Sequence, residues 1–219
     1  MLPGPDQIIA CPHCKGLTKY FTLISGNTFG ARVWTDGKQV APMLPRPPAV
    51  VKCHHCGKFY WLTDARKIGT VGQFPEQGGK INPTWLAAQE VKELTESEYY
   101  SALAGKLAKD QRQEKLLRIL AWWRGNDVFR NAPRPLGDAV VAVSSAFREN
   151  LKALVILLDD QNENDRIMKT EILRELGEFE SVKEILRSVT SGEFDAVVSQ
   201  LLSLCESKDS CVRELQFKN

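Results

Sequence analysis

Cys11-Pro12-His13-Cys14 and Cys53-His54-His55-Cys56 decide the reading of the first third of this chain. Each stretch sets two thiols two residues apart, and together they supply four soft ligands. That is the ligand set of a structural zinc site, which Zn2+ fills tetrahedrally at about 2.3 Å per Zn–S bond. The spacing is the physical warrant. A Cys-x-x-Cys turn lets both sulfurs converge on one ion while backbone N–H groups of the turn point back at the thiolates. Gly16 and Gly57 follow the second cysteine of each turn closely and are expected to take the positive φ such turns need. One pair alone could be a redox motif, whereas two pairs read as a metal site with Cys11, Cys14, Cys53 and Cys56 as ligands. The 38 residues between Cys14 and Cys53 exceed the usual spacing of roughly 15–20, so additional strands are expected between the two knuckles.

The three histidines, His13, His54 and His55, all lie inside the knuckles. Four cysteines already complete a tetrahedron and leave no open position for water or substrate. The histidines are therefore expected on the knuckle surface, and a Cys3His site would still be structural. Iron is the alternative metal. The first knuckle resembles that of rubredoxins through Cys-Pro-x-Cys, and the second through Cys-x-x-Cys-Gly; the resemblance implies an iron-binding electron carrier. At 219 residues the chain is far longer than a rubredoxin, and one structural Zn2+ is the expected cofactor.

Composition bounds the rest. A chain of 219 residues allows one large domain or two small ones, and 43% hydrophobic with 26% charged residues is ordinary for a globular protein. Met1-Leu2-Pro3-Gly4-Pro5-Asp6 lacks the basic and apolar regions of a signal peptide. The apolar runs Ala139–Val143 and Ala153–Leu158 are too short to cross a bilayer. No membrane partner and a cytoplasmic location are the expectation, in a reducing compartment where paired cysteines hold metals. Residues 1–80 carry 10 Lys/Arg against 4 Asp/Glu, and residues 81–219 carry 19 against 23, which suggests two modules.

The first module, residues 1–80, reads as a β zinc ribbon. Ile8-Ile9-Ala10 enters the first knuckle and Leu17–Ile24 leaves it; Ala49–Val51 enters the second and Phe59–Leu62 leaves it. Between them, Ala31–Thr35, Asp36-Gly37 and Lys38–Ala41 predict an inserted hairpin whose two turn residues both take positive φ. Ser25–Gly30 lacks the Lys-Ser/Thr of a phosphate loop and reads as a plain loop. Pro42–Pro48 carries a PxxP pattern and reads as a stiff crossover.

Gly69–Pro83 reads as a linker, and helical periodicity dominates the second module, residues 81–219. Pro83 suits the start of a helix carrying Trp85 and Val91. Thr95-Glu96-Ser97-Glu98 is a capping box. Leu116, Leu120 and Trp123 fall on one helical face. Phe147, Leu151, Leu154 and Leu158 form another stripe, and Val155, Ile156 and Leu157 predict a helix buried nearly all round. Further helices follow around Ile167–Leu176, Val182–Val189 and Phe194–Cys205. The fold class expected is α+β: a small β ribbon with a hairpin insertion, followed by an all-α bundle.

The segment Ile172–Leu186 resembles the middle of a tetratricopeptide repeat at Gly177, Phe179 and Val182, departing from it at Arg166 and Thr170. That resemblance covers about one repeat and implies tetratricopeptide-like helix hairpins near 147–205. The whole chain resembles uncharacterised bacterial proteins that join an N-terminal zinc ribbon to a helical, tetratricopeptide-like tail. It implies no specific activity.

Three functions compete. A non-enzymatic adaptor or scaffold needs nothing beyond the zinc-stapled module and the helices, with a protein as partner. Trp122, Arg124 and Arg130 are its candidate interaction surface, since a tryptophan beside arginines can anchor a partner. A nucleic-acid binder would use Lys15, Lys19, Arg32, Lys58 and Tyr60, although no dense basic block appears. An enzyme is disfavoured because no Ser-His-Asp, Cys-His or paired-carboxylate constellation can be assembled. Asp159, Asp160, Glu163 and Asp165 read as a solvated helix end.

Overall fold

The computed structural model describes residues 1–72, 82–130, 143–189 and 192–217. Most of the Gly69–Pro83 stretch expected as a linker, and residues 131–142, therefore lie outside the described residues. Among the described residues nine short strands are followed by seven helices: β1 (Leu2–Pro3), β2 (Asp6–Ala10), β3 (Leu17–Tyr20), β4 (Leu23–Ser25), β5 (Arg32–Val33), β6 (Gln39–Val40), β7 (Val50–Lys52), β8 (Phe59–Trp61), β9 (Arg66–Val71), α1 (Pro83–Leu86), α2 (Glu96–Ala104), α3 (Gln111–Asn126), α4 (Ser145–Ile156), α5 (Glu163–Glu175), α6 (Phe179–Arg187) and α7 (Asp195–Glu206). The fold is mixed α+β, as expected. Among the described residues no helix is long and apolar enough to cross a membrane.

The chain forms two compact units, each assembled from two stretches: Met1–Ala31 with Ala41–Glu98, and Arg32–Val40 with Tyr99–Asn219. In the first unit, β2 is the centre of an antiparallel sheet ordered β3-β2-β9. Ile8 and Ile9 of β2 are buried. β7 and β8 form a separate antiparallel pair in which Lys52 faces Phe59 across the second knuckle. Each knuckle is thus the turn of a hairpin, which fixes where its cysteines emerge.

Three local readings change here. Gly69 was expected in a linker but lies in β9, where an added Cβ would stand 2.3 Å from the Trp85 ring; the glycine lets indole and backbone meet. The helix at Pro83 is a single turn, capped by the Asn82 side chain accepting from Thr84 N–H. Val91 lies beyond it and instead donates its N–H to Lys19 O at 2.8 Å. The capping box forms as read: Glu98 N–H donates to Thr95 Oγ1 at 3.3 Å, and Thr95 N–H donates to Glu98 Oε2 at 3.0 Å.

The second unit contains α3–α7 together with the β5–β6 hairpin. The hairpin turn differs from the two-residue form expected. Gly37 alone takes positive φ, at 77°. Trp34 N–H donates to Lys38 O at 3.0 Å and Gly37 N–H donates to Trp34 O at 2.8 Å, the three-residue loop that ends in a left-handed glycine. Asp36 is left free to turn its side chain inward, where it is 1% exposed.

On α3 the buried face is Leu117, Ala121 and Trp122; Leu116, expected inside, is 39% exposed. The helix carries two apolar stripes about 100° apart, and packing chooses between them. Trp122 joins Phe147, Leu151 and Leu154 of α4 and Ile172 of α5 in one core cluster. Helix α4 is not apolar all round in effect, because Ile156 is 80% exposed. A second cluster joins Ile167 of α5 with Val182, Leu186 and Leu201. Between α5 and α6, Gly177 adopts φ 87°. There Glu178 N–H reaches Leu173 O and Gly177 N–H reaches Arg174 O, the double bond pattern that closes a helix C-terminus.

Polar groups are also enclosed in this unit, Asp36 and Asn126 buried and Glu175 half-buried. Asp36 accepts from Arg130 Nη2 at 2.6 Å, Arg130 Nη1 at 3.1 Å and Asn126 Nδ2 at 3.1 Å. Glu175 accepts from Trp122 Nε1 and Asn126 Nδ2, both at 2.8 Å. Burial, then the neighbouring Glu171 and Asp36 carboxylates, push the Glu175 carboxyl well above its ordinary range. In the pH window between the unfolded and folded pKa values the native state holds the extra proton. Stability is thus greatest below the unfolded value and falls as pH rises through the folded one. Denaturant unfolding of the helices across pH should show this decline, and Glu175→Gln should flatten it. An unchanged slope would show that another group carries it.

Candidate metal centre

The hairpin turns bring Cys11, Cys14, Cys53 and Cys56 together, with all four Sγ atoms within 4.8 Å of one another. Cys14 and Cys53 sulfurs are 3.6 Å apart, and those of Cys11 and Cys56 are 3.9 Å apart. A tetrahedron with 2.3 Å metal–sulfur bonds has edges of about 3.8 Å. These separations fit that figure and are far longer than a disulfide of about 2.05 Å. All four cysteines are free thiols. The cluster could hold a metal ion.

The two knuckles are built alike. Cys11 N–H donates to Gly16 O at 3.0 Å and Lys15 N–H donates to Cys11 O at 3.0 Å; Cys53 N–H donates to Lys58 O at 2.9 Å and Gly57 N–H donates to Cys53 O at 2.8 Å. The residue after the second cysteine takes positive φ in both, Lys15 at 63° and Gly57 at 70°. Gly16, expected to supply that conformation, does not. Its role is proximity, since a Cβ there would stand 2.2 Å from His55 Cδ2. Lys15 holds the unfavourable conformation while its Nζ donates to Pro12 O at 2.9 Å.

Cys11 and Cys53 face inward and Cys14 and Cys56 outward. A backbone N–H from Gly16 is the main influence drawing the Cys14 thiol down to about 7. Burial pushes the Cys53 thiol up to about 12. Val51 and Tyr60 pack with Cys11 and Cys53 in one buried cluster. A cation at the centre would offset the charge of four thiolates gathered beside that apolar wall. None of the three histidines joins the ligand cluster. His13 Nε2 lies 3.3 Å from Phe59 O, His55 Nε2 lies 3.3 Å from Leu17 O, and the His54 and His55 rings meet at a tilt of 41° with centroids 3.9 Å apart.

The other candidate residues are placed differently. Trp122 is fully buried and bonded to Glu175, and Arg130 is 9% exposed on Asp36, so neither presents a surface. Arg124 is partly exposed and pairs with Asp127 at 3.2 Å. These three do not form the interaction patch that the sequence suggested, because packing claimed the tryptophan and a buried carboxylate claimed the arginine. Of the basic set, Tyr60 is buried, Lys19 pairs with Asp6 at 3.5 Å, and Arg32 pairs with Glu214 at 2.5 Å in the second unit. Within the acidic set, Asp165 is buried against Lys115, while Asp160 and Glu163 pair with Lys169 and Arg166.

Comparison with protein-family models, with curated proteins and with solved structures gives no match for this chain.

Proposed function

We propose that this chain is a non-enzymatic, zinc-containing interaction protein in which the metal staples the first unit and the helices serve contacts with a protein partner. The observation that carries the metal part is the gathering of four cysteine sulfurs within 4.8 Å of one another. Four thiols complete the coordination shell of Zn2+, and a closed shell holds structure without offering a position to substrate. The chemistry of the donor set also admits iron, the rubredoxin-like alternative, which differs in colour and redox activity.

The adaptor part rests on the short helices α5 and α6, joined by Leu176–Glu178 and packed through Val182 and Leu186, a tetratricopeptide-like pairing suited to presenting side chains. A nucleic-acid role has weaker support. The first unit, 1–31 with 41–98, contains nine Lys/Arg against seven Asp/Glu, so the positive excess of residues 1–80 largely disappears when the compact unit is counted. A cytoplasmic setting keeps such thiols reduced.

The test is elemental analysis of the purified chain together with X-ray absorption. One zinc per chain with four sulfurs near 2.3 Å is expected; iron, or a shell containing a water oxygen, would overturn the closed-shell reading. Native purification with and without nuclease tests the partner class. A nuclease-resistant protein partner is expected, and a complex dissolved by nuclease would move the function to nucleic acid.

A further inference from the structure

The two knuckles share a residue besides their cysteines. Both read Cys-x-His-Cys, with His13 and His55 at the third position. His13 Nε2 lies 3.3 Å from the carbonyl oxygen of Phe59, the third residue after Cys56. His55 Nε2 lies 3.3 Å from the carbonyl oxygen of Leu17, the third residue after Cys14. A carbonyl oxygen only accepts, so both Nε2 atoms donate. Each knuckle therefore reaches across to the strand leaving the other, and the two contacts are equivalent. Neighbouring His54 makes no such contact and lies tilted against the His55 ring.

We infer that His13 and His55 are reciprocal clasps, positioning residues that hold the two Cys-x-x-Cys halves together and slow the departure of the metal. The inference rests on the metal reading above and adds the residues that govern retention. Each half supplies only two of the four sulfurs, so loss of the ion begins with the halves moving apart. Among the described residues, the only side chains of the knuckles, other than the cysteines, that bond from one half to the other are these two histidines. Gly16 belongs to the same device. It is the bare spot on which the His55 ring lies, since a Cβ would meet Cδ2 at 2.2 Å and Cγ at 2.7 Å. A substituted Gly16 would lever His55 off Leu17 with no ligand touched.

The experiment measures transfer of Zn2+ from the loaded full-length protein to an excess of a chromogenic chelator. Loss of one clasp, in His13→Ala or His55→Ala, should speed release about fivefold, the size of one net hydrogen bond. The double variant should speed it about 25-fold if the clasps act independently. His54→Ala should stay within about twofold of the parent. His13→Gln should restore slow release, because its amide N–H sits where Nε2 does, whereas the shorter His13→Asn should not. Gly16→Ala should match His55→Ala and add nothing in its presence, the non-additivity expected of two changes to one contact. Unfolding of the helices should be the same throughout.

Parent-like release from both alanine variants, or fast release from His54→Ala as well, would overturn the clasp. So would equal behaviour of glutamine and asparagine at position 13. A parent protein with no bound metal would instead overturn the metal reading on which it stands. If an alanine variant fails to fold, the glutamine–asparagine pair and Gly16→Ala still decide the question.

Discussion

Cys11→Ser or Cys53→Ser is expected to empty the metal site and unfold the first unit while α3–α7 keep their circular dichroism. Both sulfurs are buried, and serine offers an oxygen that Zn2+ binds poorly in place of a thiolate. The effect is large because the strands of this unit are only 2–6 residues long. Binding of a structural zinc contributes apparent folding free energy of about 10–16 kcal/mol in small zinc modules, more than the about 5–15 kcal/mol of net stability typical of a domain. Cys56→Ser, at an outer ligand, should act in the same direction. Cys205→Ser and Cys211→Ser should not change metal content, since neither thiol belongs to the cluster. Elemental analysis and far-ultraviolet circular dichroism read both results. Unchanged stoichiometry in Cys11→Ser would sink the ligand assignment.

Glu171→Ala should be the most damaging substitution in the helices. Glu171 and Arg174 side chains are both fully buried. Their two hydrogen bonds, at 2.6 and 2.8 Å, form a bidentate pair. Arg174 also donates to the carbonyls of Asp209 and Cys211, so one guanidinium ties α5 to the segment after α7. Removing the carboxylate leaves a buried cation without its partner, at a cost of about 3–5 kcal/mol. Replacing both residues with methionine should cost less than the single change, because no charge is then stranded. Denaturant titration with a double-mutant cycle measures it. A loss below about 1 kcal/mol for Glu171→Ala would place the pair in solvent.

The same pair shows how far the amino-acid sequence could be read. Glu171 and Arg174 are three apart on a helix and look like any exposed ion pair; nothing local marks them as buried. Their burial follows from what α7 and the C-terminal segment cover. The four-cysteine cluster was legible because Cys-x-x-Cys geometry is local and four soft donors have few other uses. The turn at Lys15 was not, since glycine at position 16 suggested itself for a role that conformation assigned one residue earlier. Trp122 and Trp123 were ambiguous in the same way. Adjacent helical residues point about 100° apart, and only the partner helices select which one enters the core. Strand β9 has no local signature, because Arg66-Lys67-Ile68-Gly69-Thr70-Val71 lacks apolar alternation and is defined by its pairing with β2.

The β5–β6 hairpin sets a schedule for synthesis. Its Asp36 is bonded to Arg130, 94 residues later in the chain. A ribosome adding about 5–20 residues per second needs roughly 5–19 s to cover that distance. During that interval the aspartate has emerged and its arginine has not. The first unit's second stretch, with Cys53 and Cys56, is made within the wait. The knuckles can therefore load metal before the helices exist, with the hairpin still an open excursion between them. A split of the gene at any single point before residue 130 would separate Asp36 from its partner or cut the first unit in two.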